Sequence, residues 1–498
     1  MKKNFKFVVA AVAAVAMIGC AKDGGEKIAP ADKGAATTAN FKINFNATRA
    51  LDDSATGAEA KLNSAVVFLF DDATKTLESR TVMTIAGDGK TASATGVKTV
   101  TSKHYIYVAV NAPAALMGAF NALAVADPDP DAPVVGATMA SFLALTNPAA
   151  TYAALIGSTG TANSAGFFMT AYKEVTFEAP TIDVPSPAAN NVSMGLGRAV
   201  GKAHLESALV SFPENATVPD ASVKYKAMNN PKEVYAFQQY EMPMNAGANR
   251  APVRNFIDND GADRTDYFRV VDDVAKTNYT AASNTALAGV YVPENWNSIP
   301  TTHNATSLII QGQIVFDDGF MVRKADGTAT AVGGGVYAGG DTFYRVWDKQ
   351  KGDWLKSESG NTYIFCEVPG TAGASMDMLL GAAGKDPLFT TGFISTEKYT
   401  MDTTSATDYE FFIATYDDAK AYWRLPLKAD GRSTVARNDY FWVTLKTIAD
   451  IGASTDSDDP DDDGVLPEDP EPIDEIEVDI NATITILKWN GIGQEGNV

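Results

Sequence analysis

The residue types that most often carry chemistry are scarce in this chain. Among 498 residues there are two cysteines and three histidines, and neither cysteine lies in a C-x-x-C spacing. No spacing relates the histidines to one another, and no serine lies in the glycine pattern of a nucleophile elbow. We therefore expect no bound metal or other cofactor and no catalytic site, and the chain is not expected to be an enzyme.

Positive charge is also in deficit. The chain has 40 Lys and Arg residues against 61 Asp and Glu residues, which gives a net charge of -21. A charge of this sign opposes any partner with a phosphate backbone, so no nucleic-acid partner is expected. Apolar residues are plentiful, since 45% of the chain is hydrophobic and 20% is charged. This composition is typical of an ordered protein with a sizeable core.

The N-terminus has the pattern of an export signal. Lys2, Lys3 and Lys6 precede an apolar run over residues 7–18, which is too short to span a membrane and suits a signal peptide over residues 1–19. The glycine directly before Cys20 makes this segment similar to the lipobox of bacterial lipoproteins, whose cysteine receives a lipid. The alternative is an ordinary signal peptide that happens to contain a cysteine.

A strand with one buried face is predicted soon afterwards. Apolar residues alternate with polar ones at a period of two, at Phe41, Ile43, Phe45 and Ala47. The pattern stops at Arg49 and Ala50, where a polar stretch rich in Ala and Gly begins. A lone basic residue at the start of an exposed loop is a ready protease site. We therefore expect residues 20–49 to be a lipidated propeptide whose strand is removed by cleavage between Arg49 and Ala50.

Strands dominate the prediction for the body of the chain. Apolar or β-branched runs bounded by turn residues occur at 65–70, 104–111 and 440–448, and further strands are predicted at 175–184 and 192–205. No regular alternation of strands with helices is present. The predicted fold class is therefore mainly β, with two tandem antiparallel β-sandwich domains of transthyretin-like type. Their expected bounds are 50–190 and 191–455.

Short helical insertions are predicted within the first domain. Leu116, Phe120 and Leu123 lie at the spacing of one helix face. A second helix is predicted around residues 139–145, with Thr138 as its N-cap.

The C-terminal region combines a linker with a strand. Residues 456–475 are crowded with Asp, Glu and Pro, a composition that stays extended and solvated. In the strand predicted at 476–490, aliphatic residues then occupy every second position, at Ile476, Val478, Ile480, Ala482, Ile484 and Ile486. Residues 491–498 form a tail. The strand either folds back as an edge strand of its own domain or completes the sheet of another molecule.

The two terminal strands suggest a route to assembly. If cleavage removes the first strand, the domain that folded around it keeps an empty groove. The C-terminal strand of another copy has the alternation that such a groove requires. Because donor and acceptor lie at different places on one chain, the contact is heterologous and builds an open filament.

Several segments carry a resemblance to a known family. They are the lipobox at Cys20, the Arg49–Ala50 junction after an alternating strand, residues 105–113, 194–202, 436–443 and 448–452, and the acidic linker with its closing strand. Together they resemble the major fimbrial subunits (fimbrillins) of Bacteroidetes bacteria, over nearly the whole chain.

The resemblance implies a life cycle for the protein. A lipidated precursor would reach the outer membrane, and an Arg-specific protease would remove the lipid with the first strand. Identical subunits would then assemble head to tail into a cell-surface fimbrium that supports adhesion, alongside anchor and tip subunits. The alternative function is a monomeric outer-membrane lipoprotein that keeps its lipid and binds glycan or protein ligands.

Overall fold

The computed structural model describes most of the first predicted domain and about half of the second. The described residues are 34–44, 61–126, 134–148, 166–211, 216–231, 233–237, 267–268, 279–283, 289–295, 300–302, 304–316, 321–323, 329–331, 342–348, 353–354, 363–366, 411–428, 433–456 and 480–488. Their secondary structure is mostly strand, with two short α-helices and a few 3-10 turns. The predicted mainly β fold with short helical insertions is confirmed.

The N-terminal region contains ten strands and both α-helices. They are β1 (Ala36–Asn44), β2 (Ala65–Asp71), β3 (Leu77–Val82), β4 (Thr84–Ile85), β5 (Thr91–Val100), β6 (Lys103–Val110), α1 (Ala114–Ala122), α2 (Met139–Leu143), β7 (Thr146–Pro148), β8 (Met169–Thr176), β9 (Asn191–Gly195) and β10 (Gly197–Arg198).

The remaining strands follow from residue 200 onwards. They are β11 (Val200–Ser211), β12 (Ala216–Thr217), β13 (Lys224–Met228), β14 (Asn230–Pro231), β15 (Glu233–Tyr235), β16 (Tyr267–Phe268), β17 (Thr280–Ala281), β18 (Val290–Pro293), β19 (Ser307–Gln313), β20 (Val315–Phe316), β21 (Met321–Arg323), β22 (Ala329–Ala331), β23 (Phe343–Asp348), β24 (Asp353–Trp354), β25 (Tyr363–Cys366), β26 (Phe411–Tyr416), β27 (Lys420–Pro426), β28 (Asp439–Ile448) and β29 (Ile480–Lys488).

The first sandwich has two sheets around one core. A four-stranded sheet in the order β4-β5-β1-β9 faces a five-stranded sheet in the order β10-β8-β6-β2-β3. The core is rich in aromatic rings, and Phe68 of β2 lies 5.1 Å from Phe120 of α1 between ring centroids. Both helices pack onto this core, α1 through Leu116 and Phe120 and α2 through Phe142.

Both helix predictions are confirmed. Helix α1 buries Leu116 and Phe120, and Leu123 is its C-terminal cap residue. Helix α2 begins after Thr138, whose hydroxyl accepts a hydrogen bond from the Ser141 backbone N–H at 3.1 Å. Within the described ranges, neither helix combines the length and the hydropathy needed to cross a membrane.

The second sandwich is built in the same way. Sheet β18-β11-β28-β29 faces sheet β17-β13-β19-β27, and the two share a second core. A further sheet, in the order β22-β21-β25-β23-β24 with β26 on β23, joins this core through Phe343 and Tyr416, whose rings stack at 4.3 Å. Most strand pairs are antiparallel, but β1–β9, β11–β28 and β21–β25 are parallel.

The sheets of the first sandwich extend past residue 190, where the sequence places its boundary. Strands β9 and β10 pair with β1 and β8 of the first sandwich. The segment 233–237 also returns to it, because β15 pairs with β7 and Phe237 packs 4.6 Å from Phe142. A boundary inferred from loop composition does not detect such a return, since the pairing partners are distant in sequence.

Arg437 connects the two sandwiches through hydrogen bonds and an ion pair. Its guanidinium donates hydrogen bonds to the Ala236 carbonyl at 2.8 Å and to the Thr170 hydroxyl of β8 at 3.3 Å. It also forms an ion pair with Glu294 at 2.7 Å, and both side chains are buried. Burial raises the pKa of the Glu294 carboxyl, and the charge of Arg437 opposes that rise.

Candidate functional site

Strand β1 lies in the middle of its sheet, although it is the first strand of the described chain. On one side it pairs antiparallel with β5, from Ala36 opposite Val100 to Asn44 opposite Thr91. On the other side it pairs parallel with β9, from Asn40 opposite Asn191 to Asn44 opposite Gly195. Removal of β1 would therefore open a slot with unpaired backbone groups on both walls.

The inward side chains of β1 are almost completely buried. Thr37, Ala39, Phe41 and Ile43 are 8%, 0%, 1% and 0% exposed, while Thr38 and Lys42 between them face solvent. The ring of Phe41 packs edge-on against Phe177 at 6.3 Å between centroids. Burial of Phe41 and Ile43 alone stabilises the domain by on the order of 5 kcal/mol. The alternation predicted at Phe41 and Ile43 is thus confirmed as a buried face.

Asn190 clamps the beginning of β1. Its side-chain amide donates to the Thr37 hydroxyl at 3.0 Å and to the carbonyls of Thr38 and Glu178 at 3.1 Å and 2.9 Å. Its carbonyl oxygen accepts from the Glu178 backbone N–H at 2.9 Å. Because Asn190 is 2% exposed, these bonds are shielded from competing water.

Asn40 bridges the two strands that flank β1. Its carbonyl oxygen accepts from the Gly96 backbone N–H of β5 at 2.9 Å, and its amide donates to the Asn191 side chain of β9 at 2.9 Å. Gly96 has a φ of +66° and lies where the β1–β5 register shifts between Ala39 and Phe41. Such a bulge requires a left-handed residue, which glycine supplies without strain. The bulge and the bridge together define one register for the strand in the slot.

The predicted lipidation residue, Cys20, and the predicted cleavage residues, Arg49 and Ala50, lie outside the described residues. So do Phe45 and Ala47, the last two inward residues of the predicted removable strand. Strand β1 ends at Asn44 and the described chain resumes at Lys61. In sequence, Arg49 therefore follows the buried strand by only a few residues.

Strand β29 contains the described part of the predicted donor strand. It lies at the edge of its sheet and pairs antiparallel with β28, from Ile480 opposite Ile448 to Lys488 opposite Asp439. Ala482 and Ile484 are half-buried and pack against the second core. Ile476 and Val478 lie outside the described residues. The strand is therefore docked on its own chain, as in the first of the two interpretations of the sequence.

The segment that precedes β29 is held at its N-terminal end by Asp456. Asp456 accepts a hydrogen bond from the Tyr279 hydroxyl at 2.7 Å and forms an ion pair with Lys226. The ammonium of Lys226 lies 4.5 Å from the centroid of the Tyr279 ring. Burial is the main cause that raises the pKa of the Tyr279 hydroxyl, so it remains a donor at neutral pH. Residues 457–479 separate this anchor from β29.

The described histidines are buried in the interior of the sandwiches. His104 is fully buried, with Nε2 2.6 Å from a Glu78 carboxylate oxygen and Nδ1 3.0 Å from the Ser102 carbonyl. The His204 ring packs 4.6 Å from Trp442, and His303 lies outside the described residues. Across the described ranges, no group of three or more His, Cys, Asp or Glu side chains is placed to hold a metal ion.

Two residues that matter for the slot were not found from the sequence. Asn190 lies at the predicted end of the first domain, in a stretch that contains Pro and Asn, and Asn40 directly precedes the alternating residues of the first predicted strand. An asparagine in such a place has no pattern that separates a clamp from a loop residue. Their roles depend on partners more than 50 residues away.

Comparison with known proteins places the chain near several solved structures. No protein-family profile and no curated protein sequence matches it. A putative cell adhesion protein from Parabacteroides distasonis is 13% identical with a TM-score of 0.42, over 91% of this chain and 100% of that chain. A fimbrilin from Porphyromonas gingivalis is 15% identical with a TM-score of 0.42, over 92% and 98%.

A tip fimbrial protein from Porphyromonas gingivalis, with a C-terminal truncation, is also similar. It is 14% identical with a TM-score of 0.37, and the match covers 91% of this chain and 100% of that chain. Identities and TM-scores of this size do not assign a function to the present chain.

Proposed function

We propose that the chain is a structural shaft subunit of a bacterial cell-surface fimbrium. It is exported as an outer-membrane lipoprotein with its lipid on Cys20, cleaved after Arg49, and polymerised by insertion of the C-terminal strand of a neighbouring copy. The filament supports adhesion, and the protein has no catalytic role. The observation that carries the proposal is the position of β1, a central strand that ends just before the predicted cleavage site.

Loss of β1 would leave a strong acceptor for another strand. The slot between β5 and β9 has hydrogen-bonding groups on both walls and a floor lined by the core around Phe177. Exposed strand edges and apolar pockets are the two features that β-augmentation uses, because backbone bonds supply affinity and pockets supply register. A cleaved subunit is thus unstable alone and stabilised by a donated strand.

Strand β29 is attached in a way that permits donation. It has one neighbouring strand, and its described inward residues Ala482 and Ile484 are half-buried. Residues 457–479 can span roughly 75 Å when extended, while the anchor at Asp456 holds their root. The strand can therefore leave β28 and reach another molecule at the cost of one ladder and of the half-buried contacts that Ala482 and Ile484 make with the second core.

The segments that resemble the fimbrillins of Bacteroidetes bacteria motivate this class of function. On the same ground, fimbrial anchor and tip subunits are the further partners that we propose. The membrane contact is limited to the lipid of the precursor.

The alternative function is favoured by one observation. Strand β29 is docked on its own chain, as it would be in a monomeric outer-membrane lipoprotein that binds glycan or protein ligands. Such a protein would keep its lipid and would not need Arg49. The two functions are therefore separated by the fate of β1.

The test is cleavage of the purified precursor with an Arg-specific protease. We expect a first cut after Arg49, followed by multimers that resist mild denaturant in unheated gels. The matched control is Arg49→Lys, which the protease should leave uncut and monomeric. Deletion of residues 476–498 should abolish the multimers without preventing the cut.

Two results would overturn the proposal. One is equal polymerisation of the protein that lacks residues 476–498. The other is a mature surface form that still carries its lipid and migrates as a single unit, which would support the monomeric alternative.

A further inference from the structure

The slot of β1 has an uneven floor. Its inward positions run from Thr37 and Ala39, which are small, to Phe41 and Ile43, which are large, and all four are buried. Ala39 lies beside Val97 immediately before the bulge in β5. A strand that enters the slot must therefore present a small side chain at one position and large ones at the next two.

The inward face of β29 has a matching irregularity. In an otherwise branched aliphatic series, Ala482 is the one small residue, and it precedes Ile484 and Ile486. Strand β29 covers nine residues, as does β1. A match can be tested by sliding one strand along the other in steps of two, since the side-chain period of a strand is two.

Most of the alignments that keep the apolar face of the C-terminal strand towards the floor of the slot are unfavourable, because of packing or of a buried charge. Placing Ala482 at Phe41 would leave a cavity there and force Ile480 into the position of Ala39. Placing Ile476 at Phe41 would bring Asp474 to the position of Ala39, where a carboxylate has no access to water.

Shifting the donor strand by two residues so that Ile484 lies at the position of Ala39 is also unfavourable. This alignment would bring the ammonium of Lys488 to the buried position of Ile43. The alignment with Ala482 at Ala39 avoids these penalties at the positions of Ala39, Phe41 and Ile43, and its one cost is the larger Ile480 at the position of Thr37. It places Ile484 in the pocket of Phe41 and Ile486 in the pocket of Ile43.

We propose that residues 480–486 of one molecule occupy the positions of residues 37–43 in the next, in the same direction as β1. This inference rests on the proposed function and adds the register and polarity of the donated strand. The direction follows from the walls of the slot, because β1 runs antiparallel to β5 and parallel to β9. A strand of that polarity reuses the hydrogen-bonding pattern and the bulge that already exist.

The proposed register predicts which polar contacts change. Thr483 takes the place of Asn40, so the bridge to Gly96 and Asn191 is lost. Ile480 takes the place of Thr37, so Asn190 loses a hydroxyl partner but keeps the backbone carbonyls near it. The donated strand is therefore held mainly by apolar contacts and by its backbone.

Disulfide trapping tests the register at an exposed pair. Ser193 of β9 lies opposite Lys42 of β1, and both face solvent. In the proposed register Thr485 replaces Lys42, at a Cα separation suitable for a disulfide. The acceptor protein is Ser193→Cys and the donor protein is Thr485→Cys, each full-length and each with Cys366→Ser.

Two further donors test other arrangements. Glu477→Cys would lie opposite Ser193 if Ile476 filled the pocket of Phe41. Asp479→Cys would lie there if the strand ran in the reverse direction with Ala482 still at Ala39. Each donor is mixed with the acceptor, cleaved after Arg49, oxidised, and analysed on heated gels without reductant.

We expect a donor–acceptor crosslink with Thr485→Cys and at least a tenfold lower yield with the other two donors. Multimers with a crosslink in another arm, or with no crosslink in any arm, would overturn the register while leaving strand exchange in place. Absence of multimers in every arm and in the Cys366→Ser control would overturn the proposed function as well.

Thr483→Asn gives a second readout, because restoring the bridge to Gly96 should slow dissociation of the multimers in mild denaturant.

Discussion

Strands β1 and β29 have the same period-two alternation but opposite structural situations. Strand β1 has a neighbour on each side, and its inward residues are at most 8% exposed. Strand β29 has one neighbour, and its described inward residues are half-buried. The comparison shows that alternation predicts a strand with one apolar face but not how firmly the strand is held. The number of paired edges and the depth of burial decide that.

The two strands also differ in the contacts that hold them and the segments next to them. Polar clamps hold β1 through Asn190 and Asn40, whereas β29 follows a long acidic segment whose anchor is at Asp456. The strand that is proposed to leave by proteolysis is thus the tightly held one. A cut after Arg49 leaves both ladders in place but severs the strand from its domain, so that the strand no longer returns to the slot as part of the same chain once the ladders open.

Truncation of one large inward side chain in each strand should give the largest contrast. In the uncut protein, Phe41→Ala should lower the free energy of unfolding by about 3–5 kcal/mol, because it leaves a cavity in the first core. Ile484→Ala should cost about 1–2 kcal/mol, since that side chain is half-buried at an edge. Urea titrations of the two variants measure this difference.

Cleavage should reverse the order of these effects. Multimers of the Phe41→Ala protein should match the unsubstituted ones, because the strand is gone, and those of Ile484→Ala should dissociate faster. Equal destabilisation of the two uncut variants would mean that the strands are embedded to a similar extent.

Removal of the Asn190 clamp should have the next largest effect. Asn190→Ala deletes contacts to Thr37, Thr38 and Glu178 and should cost about 1–3 kcal/mol, because the Asn190 side chain and the Thr37 hydroxyl are buried. Hydrogen exchange of the amides at the start of β1 should accelerate in parallel. The exposed Asn121→Ala in α1 is the matched control, and an equal loss there would show that Asn190 is not a specific clamp.

Removal of the Asn40 bridge should have the smallest effect. Asn40→Ala breaks bonds to Gly96 and Asn191 at a partly exposed position, so it should cost less than about 1 kcal/mol. The measurement is the urea midpoint of the uncut protein. A loss as large as that of Phe41→Ala would mean that the bridge, rather than the apolar face, holds β1.

Local signals were sufficient for several elements. The helix with Leu116 and Phe120 and the Thr138 cap both follow from spacing and cap chemistry within one or two turns. The buried alternation at Phe41 and Ile43 is equally local. In each case the residues that make the pattern also make the contact, so a short window of sequence contains the information.

One strand prediction failed for a local reason. The strand predicted at 175–184 ends at Thr176, and Ile182 is fully exposed in a turn. Pro180, Pro185 and Pro187 interrupt this stretch, and proline has no backbone N–H for a ladder. The apolar residues between them suggested a strand that the prolines prevent.

Composition and periodicity were enough to establish a mainly β, acidic chain with two alternating terminal strands. Net charge depends only on which residues are present, and alternation depends only on their order along the chain. The central position of β1, the edge position of β29, the return of residues 233–237 to the first sandwich and the Asn190 clamp came from the folded chain. Each of them joins residues far apart in sequence, and such pairings are selected by the packing of whole sheets rather than by any single segment.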